Sequence, residues 1–258
     1  MLVWDISNNY KIIFRAEPKH AYGASGSVDI SCLLIFPHYM EDFLMVTSSS
    51  SKSSCDCEYT EIYSIRKQKL IQKIKGSNEL DINFLLSWYN KNNDNYYIIQ
   101  FDKYGFGIYN ALKEEVYFEQ GKYIDNHYEK EEREFNNGFI YMKDNASDDY
   151  LCFLTEAHYL NFLNLNKKKY IKSFKFNQHN IYVENYYACH CQMIQWNKYI
   201  IIYEFQRNVI KIFDLEKKQF ISNIGINKNG FNCFKKIYHK VYGEALIISF
   251  HESIDLWS

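Results

Sequence analysis

The chain has 258 residues and a formal net charge of -1, from 30 Lys+Arg against 31 Asp+Glu. This balance gives no global field to gather nucleic acid or an anionic membrane, and no apolar run approaches the ~18 residues of a membrane-crossing helix. With 24 Tyr and 19 Phe but only 10 Gly and 2 Pro, the composition favours strands whose turns are made by Asn, Asp and Ser.

In chain order, residues 1–17 read as two strands, Trp4-Asp5-Ile6 leading to Lys11-Ile12-Ile13-Phe14. They look like the third and fourth strands of a sheet whose first two are missing. Val28 to Phe36 alternates like an inner strand, and Phe43 to Thr47 is its neighbour. Residues 48–57, nearly all Ser, are expected to be a flexible loop before strands at Thr60 to Ile65 and Lys69 to Lys75. The next four strands are the most regular: Ile82 to Tyr89, Tyr96 to Phe101, Gly105 to Leu112 and Glu115 to Glu119. Residues 121–137 contain Glu129-Lys130-Glu131-Glu132-Arg133-Glu134, a mixed-charge run that cannot bury itself and is expected to be a flexible insertion. A further set takes Gly138 to Met142, Tyr150 to Thr155, Tyr159 to Leu165 and Tyr170 to Phe176. Another takes Tyr186 to Ile194, Lys198 to Glu204, Val209 to Leu215 and Gln219 to Ile224. The last offers Phe231 to Tyr238, Ala245 to Phe250 and Ser253 to Trp257, with no fourth strand.

One hairpin recurs through this list. Val209 to Ile224 (VIKIFDLEKKQFISNI) is an alternating strand, a polar turn and a second strand. The same order holds at Tyr63-Ser64-Ile65, Tyr109-Asn110-Ala111 and Leu163-Asn164-Leu165, each followed by a polar turn. The interval is roughly 44 to 59 residues, near or above the ~40–45 of a four-stranded WD blade. Trp4-Asp5, Phe213-Asp214 and Leu256-Trp257-Ser258 resemble the Trp-Asp strand end of the WD40 family. Phe101-Asp102-Lys103-Tyr104-Gly105-Phe106 through Asn110 resembles the strand and turn before it. The Gly-His pair of that family is absent from every repeat.

The resemblance implies an all-β fold: a β-propeller of four-stranded antiparallel blades in a single domain, residues 1–258. Five blades are expected, closed by Lys11 to Arg15 beside Ser253 to Trp257; the alternative is part of a larger propeller. It also implies a non-catalytic scaffold for protein–protein interactions. Seven cysteines without an export signal suit reduced thiols and a cytoplasmic setting.

Cys55-Asp56-Cys57 and Cys189-His190-Cys191 have a one-residue spacer that places two sulfurs poorly for zinc, so free thiols are the expectation. His20, His38, His127, His158, His179, His190, His239 and His251 fall into no catalytic arrangement legible from strand positions. Asp5, Asp102, Asp214 and Asp255 are the carboxylates a glycosidase-like propeller would draw on. Asp5 and Asp214, however, recur at strand ends, where a carboxylate accepts backbone N–H bonds and shapes the turn. No catalytic, cofactor-binding or metal-binding residue is therefore assigned, and no cofactor is expected. Lys167-Lys168-Lys169 and Lys235-Lys236 invite RNA or phosphopeptide binding as an alternative, but the triple lysine suits a solvated hairpin tip. Trp88, Tyr89, Tyr186, Tyr187 and Trp196 are expected in the core or on the rim. The expected partners are other proteins or peptides, with no membrane and nucleic acid disfavoured.

Overall fold

The structure is a computed structural model that describes residues 2–5, 11–15, 28–37, 42–50, 59–75, 82–102, 105–120, 135–142, 148–155, 159–175, 191–204, 207–227, 230–241 and 243–257. Two compact units divide the chain, Met1–Glu131 and Glu132–Ser258. The first contains β1 (Leu2–Asp5), β2 (Lys11–Arg15), β3 (Val28–Pro37), β4 (Asp42–Ser50), β5 (Tyr59–Ser64) and β6 (Lys69–Lys75). It continues with β7 (Ile82–Asn90), β8 (Asn95–Asp102), β9 (Phe106–Asn110) and β10 (Val116–Gln120). The second contains β11 (Phe135–Met142), β12 (Asp149–Thr155), β13 (Tyr159–Asn164), β14 (Lys169–Lys175), β15 (Cys191–Trp196), β16 (Tyr199–Glu204), β17 (Val209–Asp214), β18 (Gln219–Gly225), β19 (Phe231–His239), β20 (Gly243–Phe250) and β21 (Ile254–Trp257).

Every sheet is an antiparallel meander in chain order. Four are four-stranded: β3 to β6, β7 to β10, β11 to β14 and β15 to β18. β1 and β2 form a two-stranded sheet of their own, and β19 to β21 form a three-stranded one. This corrects the expected blade count. Lys11–Arg15 was to serve as the fourth strand of the last sheet, but its pairing is the local hairpin with Leu2–Asp5, Val3 opposite Phe14 and Asp5 opposite Lys11. Complete blades among the described residues therefore number four. Boundaries also move: β4 carries its pairing through the serines to Ser50, opposite Val28, and β11 starts at Phe135. Residues 51–57 and 121–134, the rest of the two expected loops, lie outside the described residues.

The sequence pattern follows from what each strand touches. The second strands β8, β12 and β16 are buried on both faces: Ile200 to Glu204 are all buried in β16, Tyr97 to Phe101 in β8 and Leu151 to Leu154 in β12. Such strands read as continuous apolar runs rather than alternating ones. The outer strand β18 instead alternates exposed and half-buried residues along its length. Within each unit, neighbouring sheets pack face to face. Ile62 and Ile74 of one sheet meet Leu85, Ile98 and Ala111 of the next. Leu154 and Leu160 meet Met193, Ile200, Ile202 and Phe213; Ile201, Tyr203 and Ile210 meet Phe231, Leu246 and Ile248. First strands of neighbouring sheets lie side by side, β3 with β7, β11 with β15 and β15 with β19. Meandering four-stranded sheets, stacked on their faces with first strands adjacent, are the blades of a β-propeller.

The hairpin between third and fourth strands shares one feature in every complete blade. One extra residue bulges in the fourth strand, at Ile71, Tyr117, Ile171 and Ile221, so that for example Phe213 opposes Phe220 while Ile212 opposes Ser222. A bulge there adds local twist. Three of the four turns close with a residue in the left-handed region: Gln68 (φ 53°), Lys168 (φ 54°) and Lys218 (φ 54°). A side chain with a Cβ costs about 1 kcal/mol or more there, and glycine does not. Lys218→Gly is therefore expected to stabilise the protein by up to ~1 kcal/mol, read as a higher urea midpoint at unchanged m-value. A lowered midpoint would contradict the turn geometry.

Candidate interaction surface

Each of these turns is fixed from beneath by a buried polar side chain at the end of the third strand. The Asp214 carboxylate accepts the backbone N–H groups of Glu216 and Lys217, both at 2.9 Å. Asn110 Oδ1 accepts those of Leu112 and Lys113, Asn164 Oδ1 that of Lys167 at 2.8 Å, and Ser64 Oγ that of Lys67 at 3.0 Å. All four capping residues are buried. The residue after three of the caps turns inward, and Ile65, after Ser64, is half-buried. Ala111, Leu165 and Leu215 are buried, and their N–H groups bond the carbonyls of Tyr96, Asp149 and Lys198 at the start of the second strand. Exposed side chains then crown the tips: Arg66 and Lys67, Lys113, Lys167 and Lys168, Lys217 and Lys218. Three of the four rigid hairpins thus carry basic tips, while the tip with Lys113 also exposes Glu114 and Glu115.

Burial and hydrogen bonding also account for a polar layer inside the third strands. Glu61, 2% exposed, accepts the Tyr63 hydroxyl at 2.6 Å and pairs with Lys73 at 2.5 Å. Burial, reinforced by the Glu61 hydrogen bond and charge, pushes the Tyr63 phenol above its ordinary range, so it stays a donor. Thr60 donates to Gln100 of the next sheet at 2.7 Å. The position of Glu61 is taken by Asn161, Lys211 and Gly107 in the other blades. Asn161 accepts the Ser173 hydroxyl at 2.6 Å, and Lys211 pairs with the buried Glu204 at 3.4 Å, which Arg207 also meets at 3.4 Å. At Gly107 the Tyr109 ring occupies the space a Cβ would need, and its hydroxyl donates to Glu119 at 3.1 Å. Glu61 and Glu204 escaped the sequence reading. The signal was present as a charged residue inside an otherwise buried strand, but its partner lies one or two strand positions away and only pairing reveals it.

Asp214 caps a turn, as its strand-end position implied, and Asp255 lies in β21 opposite Ile248. Asp5 and Asp102 end β1 and β8. Cys55-Asp56-Cys57 and Cys189-His190 lie outside the described residues, as do Tyr186 and Tyr187; Cys191 begins β15. Among the described residues no group of three or more His, Cys, Asp or Glu gathers as a metal site would. Trp88 is core, stacked on Tyr97 at 5.0 Å, whereas Tyr89 and Trp196 are half-buried. Lys167 is held by Asp148 at 2.6 Å. Lys235 and Lys236 are exposed on β19.

No family model matches the chain, and no curated protein matches it in sequence. Solved structures match it in fold. The chain is similar to BBS1N in complex with ARL6DN, in mercury-soaked crystals (TM-score 0.56, 7% identity, 88% of this chain and 77% of that one). The lead-soaked counterpart gives a TM-score of 0.56 and 7% identity over 91% of this chain and 79% of that one. The computationally designed Ika8 protein gives a TM-score of 0.56 and 9% identity over 99% of this chain and 76% of that one. At such identities the likeness is one of fold, and it agrees with the blades: the fold class is an all-β propeller.

The Asp214 cap carries a pH signature. The Lys217 and Glu216 N–H groups, with the charges of Lys198 and Lys217, hold its carboxyl below the usual carboxylate range. A pKa lower in the folded than in the unfolded state means stability present above the unfolded value, about 3.9, and lost as pH falls through the folded one. Asp214→Asn keeps the acceptor oxygen and removes the titration. Its melting temperature is expected to fall less steeply than that of the parent between roughly pH 5 and 3. Identical slopes would contradict the cap.

Proposed function

We propose that the protein is a non-catalytic, WD40-like scaffold that holds other proteins on its blades and works in the cytoplasm. The observation that carries this reading is the commitment of the strand-end polar groups. Asp214, Asn110, Asn164 and Ser64 spend their oxygens on turn N–H groups, and Glu61 and Glu204 are met by cations within their own blades. Those groups support rigid, exposed hairpin tips, and rigid elements presenting variable loops are how binding surfaces are built. A fold neighbour, BBS1N, is found in complex with ARL6DN, which supports a protein partner for this chain as well.

The test is chemical crosslinking of the intact protein in its source cells, followed by mass spectrometry with and without nuclease. Protein crosslinks that map to the third-to-fourth-strand hairpins and survive nuclease are expected. Crosslinks lost entirely on nuclease treatment would overturn the reading. So would hydrolysis of a glycoside panel by the purified protein that is abolished by Asp255→Asn.

A further inference from the structure

Among the fourth strands, β14 differs from the rest. β6 buries Gln72 and Ile74, and its Lys73 is paired to Glu61. β18 keeps every second residue half-buried, and β10 carries Glu119. β14 is exposed at every position but Phe174, with Ile171 51% and Tyr170 38% exposed. It is also an edge, bonded to β13 on one side and last in its sheet. Residues 167–175, KKKYIKSFK, hold five lysines and no acidic residue in a chain whose net charge is -1. Lys167 meets Asp148, and Lys172 lies over the Phe174 ring at 4.8 Å.

We propose that β14 is the docking strip for an acidic, extended segment of a partner protein, whose carboxylates meet Lys168, Lys169, Lys172 and Lys175 and whose apolar residues cover Ile171. This rests on the scaffold reading and assigns it a surface and a partner chemistry. Charge complementarity selects the occupant. A lysine-rich edge repels a second copy of itself, which closes it to self-association, and attracts a strand of opposite sign. The rings argue against single-stranded nucleic acid, which needs free aromatic faces for its bases. Tyr170 packs edge-on against Phe153 at 6.2 Å, and Phe174 packs between Phe162 and Phe213 at 5.7 and 4.8 Å. Beside the lysines and Ser173, Tyr170 is 38% and the aliphatic Ile171 51% exposed, and Ile171 is the apolar side chain suited to a peptide.

The experiment is fluorescence anisotropy with the full chain and a labelled ten-residue peptide of alternating Glu and Val, at low and at physiological salt. A labelled oligouridylate is the competitor class. The triple variant Lys169→Ser, Lys172→Ser, Lys175→Ser and the single Ile171→Ser are each expected to weaken peptide binding, the triple by about tenfold or more. A triple variant of the first unit, Arg66→Ser, Lys67→Ser, Lys69→Ser, is expected to leave it within about twofold. Circular dichroism melts confirm that every variant folds. Equal losses from both triple variants would show undirected charge attraction and overturn the proposal. Tighter binding of oligouridylate that depends on β14 would overturn it in favour of nucleic acid. If β14 variants leave peptide binding intact while protein crosslinks persist in cells, this strip is wrong and the scaffold reading stands.

Discussion

The constraint on which the rest depends is the buried cap at the end of each third strand. A hairpin tip made mostly of exposed charged and polar residues has no packing of its own to fix its shape, and with few glycines three of the four turns are strained. Asp214, Asn110, Asn164 and Ser64 supply the missing order by accepting the tip N–H groups from below. After three of the caps the next residue, Ala111, Leu165 or Leu215, then bonds the second strand and enters the core. One short polar side chain thus ties the turn, the third strand and the second strand together, and sets where the fourth strand begins.

Stacking supplies the second requirement. A four-stranded meander alone has two apolar faces, and a second strand such as Tyr199-Ile200-Ile201-Ile202-Tyr203 has no water-facing side to offer. It is stable only between two other sheets. Phe213 makes the point: it packs with Phe220 of its own blade and with Phe162 and Phe174 of the preceding one, all within 6 Å between ring centroids. Truncating such a ring removes contacts in two blades at once, at a cost of about 3–5 kcal/mol.

Much of the fold was legible because these constraints leave local marks. The order apolar, Asp/Asn/Ser, apolar, polar tip is the cap read as sequence, and strand bounds drawn from it agree with the structure to within about a residue or two over β5 to β10 and β16 to β21. Strands without a cap were harder. Ser48–Ser50 read as loop because polyserine has little strand preference, yet they pair with Val28 to Ile30. The five-blade closure failed for a different reason: Lys11–Arg15 suits the fourth strand of any blade, and pattern alone does not say which edge it takes. At the candidate surface, the lysine run was visible and its turn position was anticipated. The exposure that sets β14 apart from β6 was not, because both strands read as alternating lysines and apolar residues and differ in what lies opposite, Glu61 in one case and Asn161 in the other.

The most direct test of the cap as organising interaction is native-state hydrogen exchange at the tip amides of Lys67, Lys113, Lys167 and Lys217. Their side chains are exposed, so without caps these amides would exchange at nearly the rate of a free peptide. Protection comparable with that of Leu165 and Leu215, whose amides bond the second strand, is the result the account predicts. Free-peptide exchange at the tips, with the strands protected, would contradict it.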